Sequence, residues 1–330
     1  MSSEETARLP VEGRLASFDG ATSWLNSEPL TPEGLRGKVV VVDFLTYTCI
    51  NWLRTLPHVR AWAEKYRDAG VVTVGVHTPE FSFEKDLDNI TGALKAMNVG
   101  FPIAVDSDYG VWNAFDNHYW PALYFADAEG RIRHHRFGEG EYEQSERVIQ
   151  QLLSEAGVDG FDRELVGIEG QGPEAEADWG NLRSPETYVG YGHGENLVSG
   201  ESFVPDAMSR YLIPDSLRLN SWALSGDWTI GAEAAVMNEP NGRIAFRFHA
   251  RDLHLVMGPV TRDVSIPFRV LIDGSPPGTD AGVDAKADGS GVAVEQRMYQ
   301  LIRQQGPITD RTFEIEFLEA GSEACVFTFG

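Results

Sequence analysis

The stretch Val42-Asp43-Phe44-Leu45-Thr46-Tyr47-Thr48-Cys49-Ile50-Asn51-Trp52-Leu53-Arg54-Thr55-Leu56-Pro57 decides the fold of the first half of this chain. It closes a β-branched run, Lys38 to Leu45, of the kind expected in a strand buried on both faces. A helical stretch, Ile50 to Asp68, follows at once, so Cys49 falls at a strand-to-helix junction. The first N–H groups of a helix lack intrahelical acceptors and carry the positive end of its dipole. Both favour a thiolate, so Cys49 is expected to be more acidic than a free thiol. A small buried core residue is the alternative.

Working outward, Val71 to Val76 reads as a second buried strand, and Leu87, Ile90, Leu94 and Met97 recur at helical spacing. Ala122 to Ala126 and Arg131 to Phe137 flank the turn Asp127-Ala128-Glu129-Gly130, a hairpin signal. Val148, Ile149, Leu152 and Leu153 mark a last helix. The order β-α-β-α-β-β-α predicts an α/β domain, a central sheet flanked by helices, over residues 1–158. Residues 159–185 are rich in Gly, Pro and acidic side chains and read as a linker. Over 186–330 the periodicity changes to two. Ile244, Phe246 and Phe248 alternate with polar or small neighbours, as do Leu253, Leu255 and Met257, and Phe313, Ile315 and Phe317. Such runs predict an all-β jelly roll or sandwich, with one helical turn expected at Glu295 to Arg303.

The whole chain has 330 residues, 27 Lys+Arg and 50 Asp+Glu, a formal net charge of −23. That balance argues against nucleic acid and anionic membranes as partners, both of which need a basic face. Two cysteines exclude a disulfide framework and an all-cysteine zinc site. Met1 to Pro10 has no apolar stretch of the secretory type, and Val39 to Leu45 is too short to span a bilayer. A cytoplasmic location with reduced thiols is expected.

The Cys49 segment resembles the redox site of thioredoxin-like proteins, in their redoxin branch (alkyl-hydroperoxide-reductase/thiol-specific-antioxidant and TlpA-like). Three matches carry the resemblance: Asp43 six residues before Cys49, Pro57 eight after it, and Pro121 in Tyr119-Trp120-Pro121-Ala122, where the superfamily places a cis-proline. A closer resemblance is to the soluble part of DipZ-type thiol–disulfide interchange proteins, which continue into a β-sandwich similar to carbohydrate-binding modules. Gly75-Val-His-Thr-Pro-Glu80 and Phe137-Gly-Glu-Gly140 look similar too. The resemblance implies a Cys-x-x-Cys pair, and here Trp52 stands at the second cysteine position.

A lone thiol narrows the chemistry. Cys49 can attack a disulfide or a peroxide but must be resolved by an external low-molecular-weight or protein thiol. Thr46 fits the peroxiredoxin pattern Pro-x-x-x-Thr-x-x-Cys, while Val42 stands at its proline position. Asp43, in a buried strand, is expected to have a raised pKa and to exchange protons with the thiol. His77 and His118 are expected at the same sheet edge, lowering the thiol pKa or relaying protons. Tyr47, Trp52, Glu80, Trp120 and Pro121 are expected to line the substrate surface, with the Trp52 indole as an apolar lid. Cys325 shares strand parity with Phe327 and Phe329 and is expected in the sandwich core. Trp222, Trp228 and Tyr299 would serve a glycan only if exposed.

Three readings stand at this point. The first is a cytosolic monothiol oxidoreductase, needing no cofactor, for thiol exchange or peroxide reduction. The second is a redox-inactive thioredoxin-fold binding protein whose sandwich takes a glycan or protein ligand, or serves as a homodimer interface. The third is a metal-binding protein built on Cys49, His77 and His118.

Overall fold

The computed structural model describes residues 8–199 and 204–330, so the reading of Met1 to Pro10 is met by structure only from Arg8 onward. Two compact units divide the chain, Met1–Gly170 and Gln171–Gly330.

The first unit contains β1 (Gly13–Arg14), β2 (Ser23–Leu25), β3 (Val39–Leu45), α1 (Ile50–Lys65), β4 (Val71–His77), α2 (Leu87–Ala96), β5 (Ile103–Val105), α3 (Gly110–Ala114), β6 (Ala122–Ala126), β7 (Arg131–Phe137) and α4 (Tyr142–Glu155). Their sheet has the order β1-β7-β6-β3-β4-β5-β2. Strands β3, β4 and β5 run parallel, and β6 lies antiparallel to β3 on its other side. All seven residues of β3 are buried, as a Val-rich central strand requires. Val40, Val42 and Phe44 enter one apolar cluster with Val74, Val76, Trp112 and Phe115. Asp43 therefore points to the opposite face. Its register partner on β4 is Gly75. A Cβ there would stand 2.5 Å from Ile103 Cδ1 and 2.9 Å from Leu45 Cδ2, so only glycine lets these side chains close over the strand.

The hairpin expected around Asp127 to Gly130 is present. Gly130 takes φ +72° and its N–H bonds to Asp127 O at 2.8 Å. The short elements β1, β2, β5 and α3 carry too few residues to show a period, and the sequence pattern misses them.

The second unit is all-β: β8 (Thr187–Tyr188), β9 (Met208–Tyr211), β10 (Trp222–Ile230), β11 (Ala235–Met237), β12 (Gly242–Phe248), β13 (Asp252–Pro259), β14 (Ile266–Ile272), β15 (Ser290–Ala293), β16 (Arg297–Arg303), β17 (Arg311–Phe317) and β18 (Ser322–Phe329). All pairs of these strands are antiparallel. β10 belongs to two layers: Trp222–Ser225 pairs with β12, and Gly226–Ile230 pairs with β9 and β11. The change of partner falls at Gly226, with φ +94° and a Cβ position only 3.1 Å from Gly242 Cα. The alternating triplets Ile244/Phe246/Phe248, Leu253/Leu255/Met257 and Phe313/Ile315/Phe317 all face one core.

Two expectations are corrected here. Glu295 to Arg303 holds no helical turn; Arg297–Arg303 is β16, whose residues 298–302 are all buried, so no two-residue alternation marks it. Cys325 is buried as expected, but its parity argument fails. A β-bulge opposite Val256/Met257 falls at Cys325, so Ala324 on one side and Phe327 and Phe329 on the other join the core.

The acidic segment 159–185 is shared between the units. Arg163 O and Val166 N–H bond to Gln150 and Glu146 of α4. Glu176 O accepts from Arg251, and Arg183 N–H bonds to His249 O. Among the described residues no helix is long and apolar enough to cross a membrane.

Candidate functional site

Cys49 is the N-cap of α1, with extended backbone (φ −71°, ψ 116°). Its N–H bonds to Thr46 O at 3.2 Å, and its carbonyl accepts the Leu53 N–H at 2.9 Å, starting the helix. The residue is half-buried, and Sγ lies 3.8 Å from Trp120 O. The Trp120–Pro121 peptide is cis. The resemblance therefore locates Pro121 correctly: strand β6 begins at the next residue, antiparallel to β3, and delivers the Trp120 carbonyl to the thiol.

Trp52 is not a lid. It is fully buried, one helical turn after Cys49, and its Nε1–H donates to Asp43 Oδ2 at 2.9 Å. Asp43 is itself inaccessible, and its other carboxylate oxygen, Oδ1, has no hydrogen-bond partner among the described residues. Burial raises the Asp43 pKa to about 7, with the Trp52 hydrogen bond pulling it down. The expected raised carboxyl is thus present, held by an indole that the sequence alone suggested would face a substrate.

The two histidines do not behave as expected. His77 is fully buried at the end of β4, stacked on Tyr47 at 5.6 Å between ring centroids. Burial lowers its pKa to about 3, so at neutral pH it is uncharged and cannot favour a thiolate as a cation. Neither ring nitrogen has a hydrogen-bond partner among the described residues. His118 is exposed and pairs with Asp116 at 3.4 Å. Among the described residues no three His, Cys, Asp or Glu side chains stand together as a metal site, so the Cys49/His77/His118 centre is not formed.

The remaining expected residues divide by exposure. Tyr47 and Thr46 are fully buried and cannot touch a substrate without a change of structure. Trp120 is half-buried, its ring packed on Trp112 at 4.4 Å. Glu80 is half-buried and presents its backbone N–H, at 2.7 Å, to a residue the sequence reading missed, Glu84. Glu84 is fully buried and accepts the Thr48 hydroxyl at 2.6 Å. Burial raises its pKa, and its hydrogen bonds oppose that. The signal available in the sequence was only an acidic residue beyond the carboxyl end of β4. Beside Trp120, the exposed Tyr119 stacks on Phe137 at 4.7 Å.

In the second unit Trp222, Trp228 and Tyr299 are core residues, each at most 1% exposed. Their polar atoms are bound within the fold: Trp222 Nε1 to Glu195 O at 2.7 Å and Trp228 Nε1 to Ser225 O at 2.8 Å. None of the three is a sugar platform.

Residues 184–330 match the family model described as "Thioredoxin like C-terminal domain". Over 261 residues the chain is 36% identical to Protein DipZ of Mycobacterium bovis, covering 78% of this chain and 36% of that protein. Over 141 residues it is 29% identical to the thiol-disulfide oxidoreductase YkuV of Bacillus subtilis, covering 43% of this chain and 95% of that one. A solution structure of a thioredoxin-like protein in the oxidized form is 30% identical and covers 44% of this chain and 99% of its own, with a TM-score of 0.41. The chain thus spans about a third of the length of DipZ. It is homologous to DipZ and to thiol-disulfide oxidoreductases. Its first unit has the thioredoxin-like fold, and its second, all-β unit carries the stretch that matches the thioredoxin-like C-terminal domain model.

Proposed function

We propose that the first unit is a thiol–disulfide oxidoreductase working through Cys49 alone, with Trp52 in place of a resolving cysteine. The observation that carries this is the position of Cys49: the N-cap of α1, half-exposed, with Sγ 3.8 Å from the carbonyl that precedes Pro121. In this reading the Cys49 thiolate attacks one sulfur of a substrate disulfide. A mixed disulfide forms and the other half leaves as a thiolate. A second, external thiolate attacks the substrate sulfur of the mixed disulfide. Cys49 leaves as a thiolate, and the external thiol and the substrate half are joined. Asp43, titrating near neutrality, takes or returns the thiol proton as the site cycles.

Thiol exchange is preferred here to peroxide reduction. The homologues named for thiol–disulfide chemistry support exchange. Peroxide reduction would rely on Thr46, which is fully buried.

Incubation of the native protein with oxidised glutathione, followed by peptide mass spectrometry, tests the reading. The expected result is a glutathione adduct on Cys49, removed by added thiol and absent from Cys49→Ser. An unmodified native Cys49 would overturn it in favour of a fold kept for binding.

A further inference from the structure

We propose that Glu84 is a positioning residue for Cys49, acting through Thr48; the proposal rests on the reading of Cys49 as a reactive thiol. Glu84 lies in the short 3-10 turn Ser82–Lys85, in the connection that follows β4. Cys49 lies in the connection that follows β3, the parallel neighbour of β4. Both connections leave the carboxyl edge of the sheet, and among the described residues no strand pairing holds them to each other beyond the bond from Thr78 N–H to Leu45 O at 3.0 Å. Glu84 supplies a tie. Oε1 accepts the Thr48 hydroxyl at 2.6 Å, and Oε2 accepts the N–H groups of Glu80 at 2.7 Å and Phe81 at 3.0 Å.

Thr48 is the residue immediately before the helix N-cap, so its hydroxyl sets where the chain enters α1 and where the Cys49 side chain starts. On the other side, the thiol contacts the Trp120 carbonyl at 3.8 Å. The Thr48–Cys49 pair is therefore held from both flanks, Thr48 by Glu84 and Cys49 by the Trp120 carbonyl. A fully buried carboxylate is a costly way to join two loops, since an apolar contact would do so without desolvating a charge. What a carboxylate provides is a fixed, directional acceptor beside the nucleophile. Disulfide exchange needs the attacking sulfur in line with the S–S bond, so small displacements of this loop slow it.

The test is the second-order rate of reaction with 5,5′-dithiobis(2-nitrobenzoic acid), measured on the full chain in a Cys325→Ser background. Thr48→Val and Glu84→Gln are each expected to react about fivefold more slowly, the scale of one hydrogen bond. Thr48→Ser, which restores the hydroxyl, is expected to react within about twofold of the parent, a rescue that general loss of packing would not give. The double variant Glu84→Gln/Thr48→Val is expected to be less slow than the product of the two single effects, because both weaken the one Thr48–Glu84 contact; full multiplicativity would mean that the two residues act separately and overturn the proposal. Should Glu84→Gln fail to fold, the Thr48→Val and Thr48→Ser pair decides alone. A Thr48→Val protein that reacts at the parent rate, or a Thr48→Ser protein as slow as Thr48→Val, overturns the proposal while leaving Cys49 reactive. A parent protein with no reactive thiol overturns the reading of Cys49, and this proposal with it.

Discussion

Cys49 stands where a strand hands over to a helix, and Cys325 stands inside a strand. The contrast follows from what each does with neighbouring backbone donors. Around Cys325 the amides belong to ladders: β18 is paired with β11, β13 and β8, and the Cys325 carbonyl accepts the Val189 N–H at 2.8 Å. Around Cys49 the helix has just begun, and the N–H groups of its first turn have no helical acceptors. The side-chain surroundings differ as well. The first unit buries Asp43 on the strand that leads to its cysteine, and His77 and Glu84 at and beyond the end of the neighbouring strand β4. Cys325 follows Ala324 and precedes the apolar run Val326 to Phe327. The helix start leaves amide donors for the Cys49 thiolate, whereas the amides around Cys325 are spent on paired strands even though Cys325 itself falls at a bulge.

The comparison breaks most directly on reactivity. At neutral pH native Cys49 is expected to be alkylated at least about a thousandfold faster than Cys325, which reacts only after the sandwich opens. In denaturant the two rates should converge. Equal native rates, read by peptide mass spectrometry, would end the distinction.

Asp43 sharpens it through pH. Its folded pKa of about 7 lies above the ordinary carboxyl value of 3.8. The folded state therefore holds this proton more tightly than the unfolded chain does. The corresponding stability is fully present below about pH 4 and is lost as pH rises through about 7. Asp43→Asn cannot ionise, so it should gain on the wild type across that window by on the order of 3 kcal/mol. Urea unfolding at pH 5 and pH 8 would show this, and equal pH slopes would refute the assignment. His77 acts in the opposite sense. Its lowered pKa keeps it neutral in the fold, so its contribution holds above pH 6.5 and fades as pH falls toward 3.

A smaller effect is expected at Trp52. Trp52→Phe removes the donor to Asp43 Oδ2 and should cost about 2 kcal/mol, more at pH 8 than at pH 5, because the charged carboxylate loses more than the neutral acid. A loss independent of pH would mean that the indole serves by volume alone. Least of all, Cys325→Ala should cost about 1 kcal/mol and leave disulfide exchange unchanged. Any loss of exchange in that variant would give Cys325 a part in the chemistry.

The legible features were those carried by contiguous residues. The Val-rich run announced β3, the junction announced Cys49, and the turn residues at 127–130 announced the β6–β7 hairpin. Asp43 was legible too, because a carboxylate flanked by Val42 and Phe44 in a central strand has nowhere to go but inside. What escaped were relations across the fold. Thr48 and Glu84 are 36 residues apart, and their bond depends on how two loops leave neighbouring strands. His77 and His118 share a sheet edge in the sequence reading, yet one is sealed against Tyr47 and the other is in solvent.

Alone, the amino-acid sequence determined that one thiol in a thioredoxin-like unit sits at a helix start with no second cysteine within reach along the helix. Hydrophobic patterning and residue spacing are local, and they suffice for that. Only the tertiary structure decided what surrounds the thiol: that Trp52 turns inward to donate to Asp43, that His77 is neutral, and that Glu84 grips Thr48. Burial and hydrogen bonding between distant residues are set by strand register and by loop closure, and neither is written in any short stretch of chain.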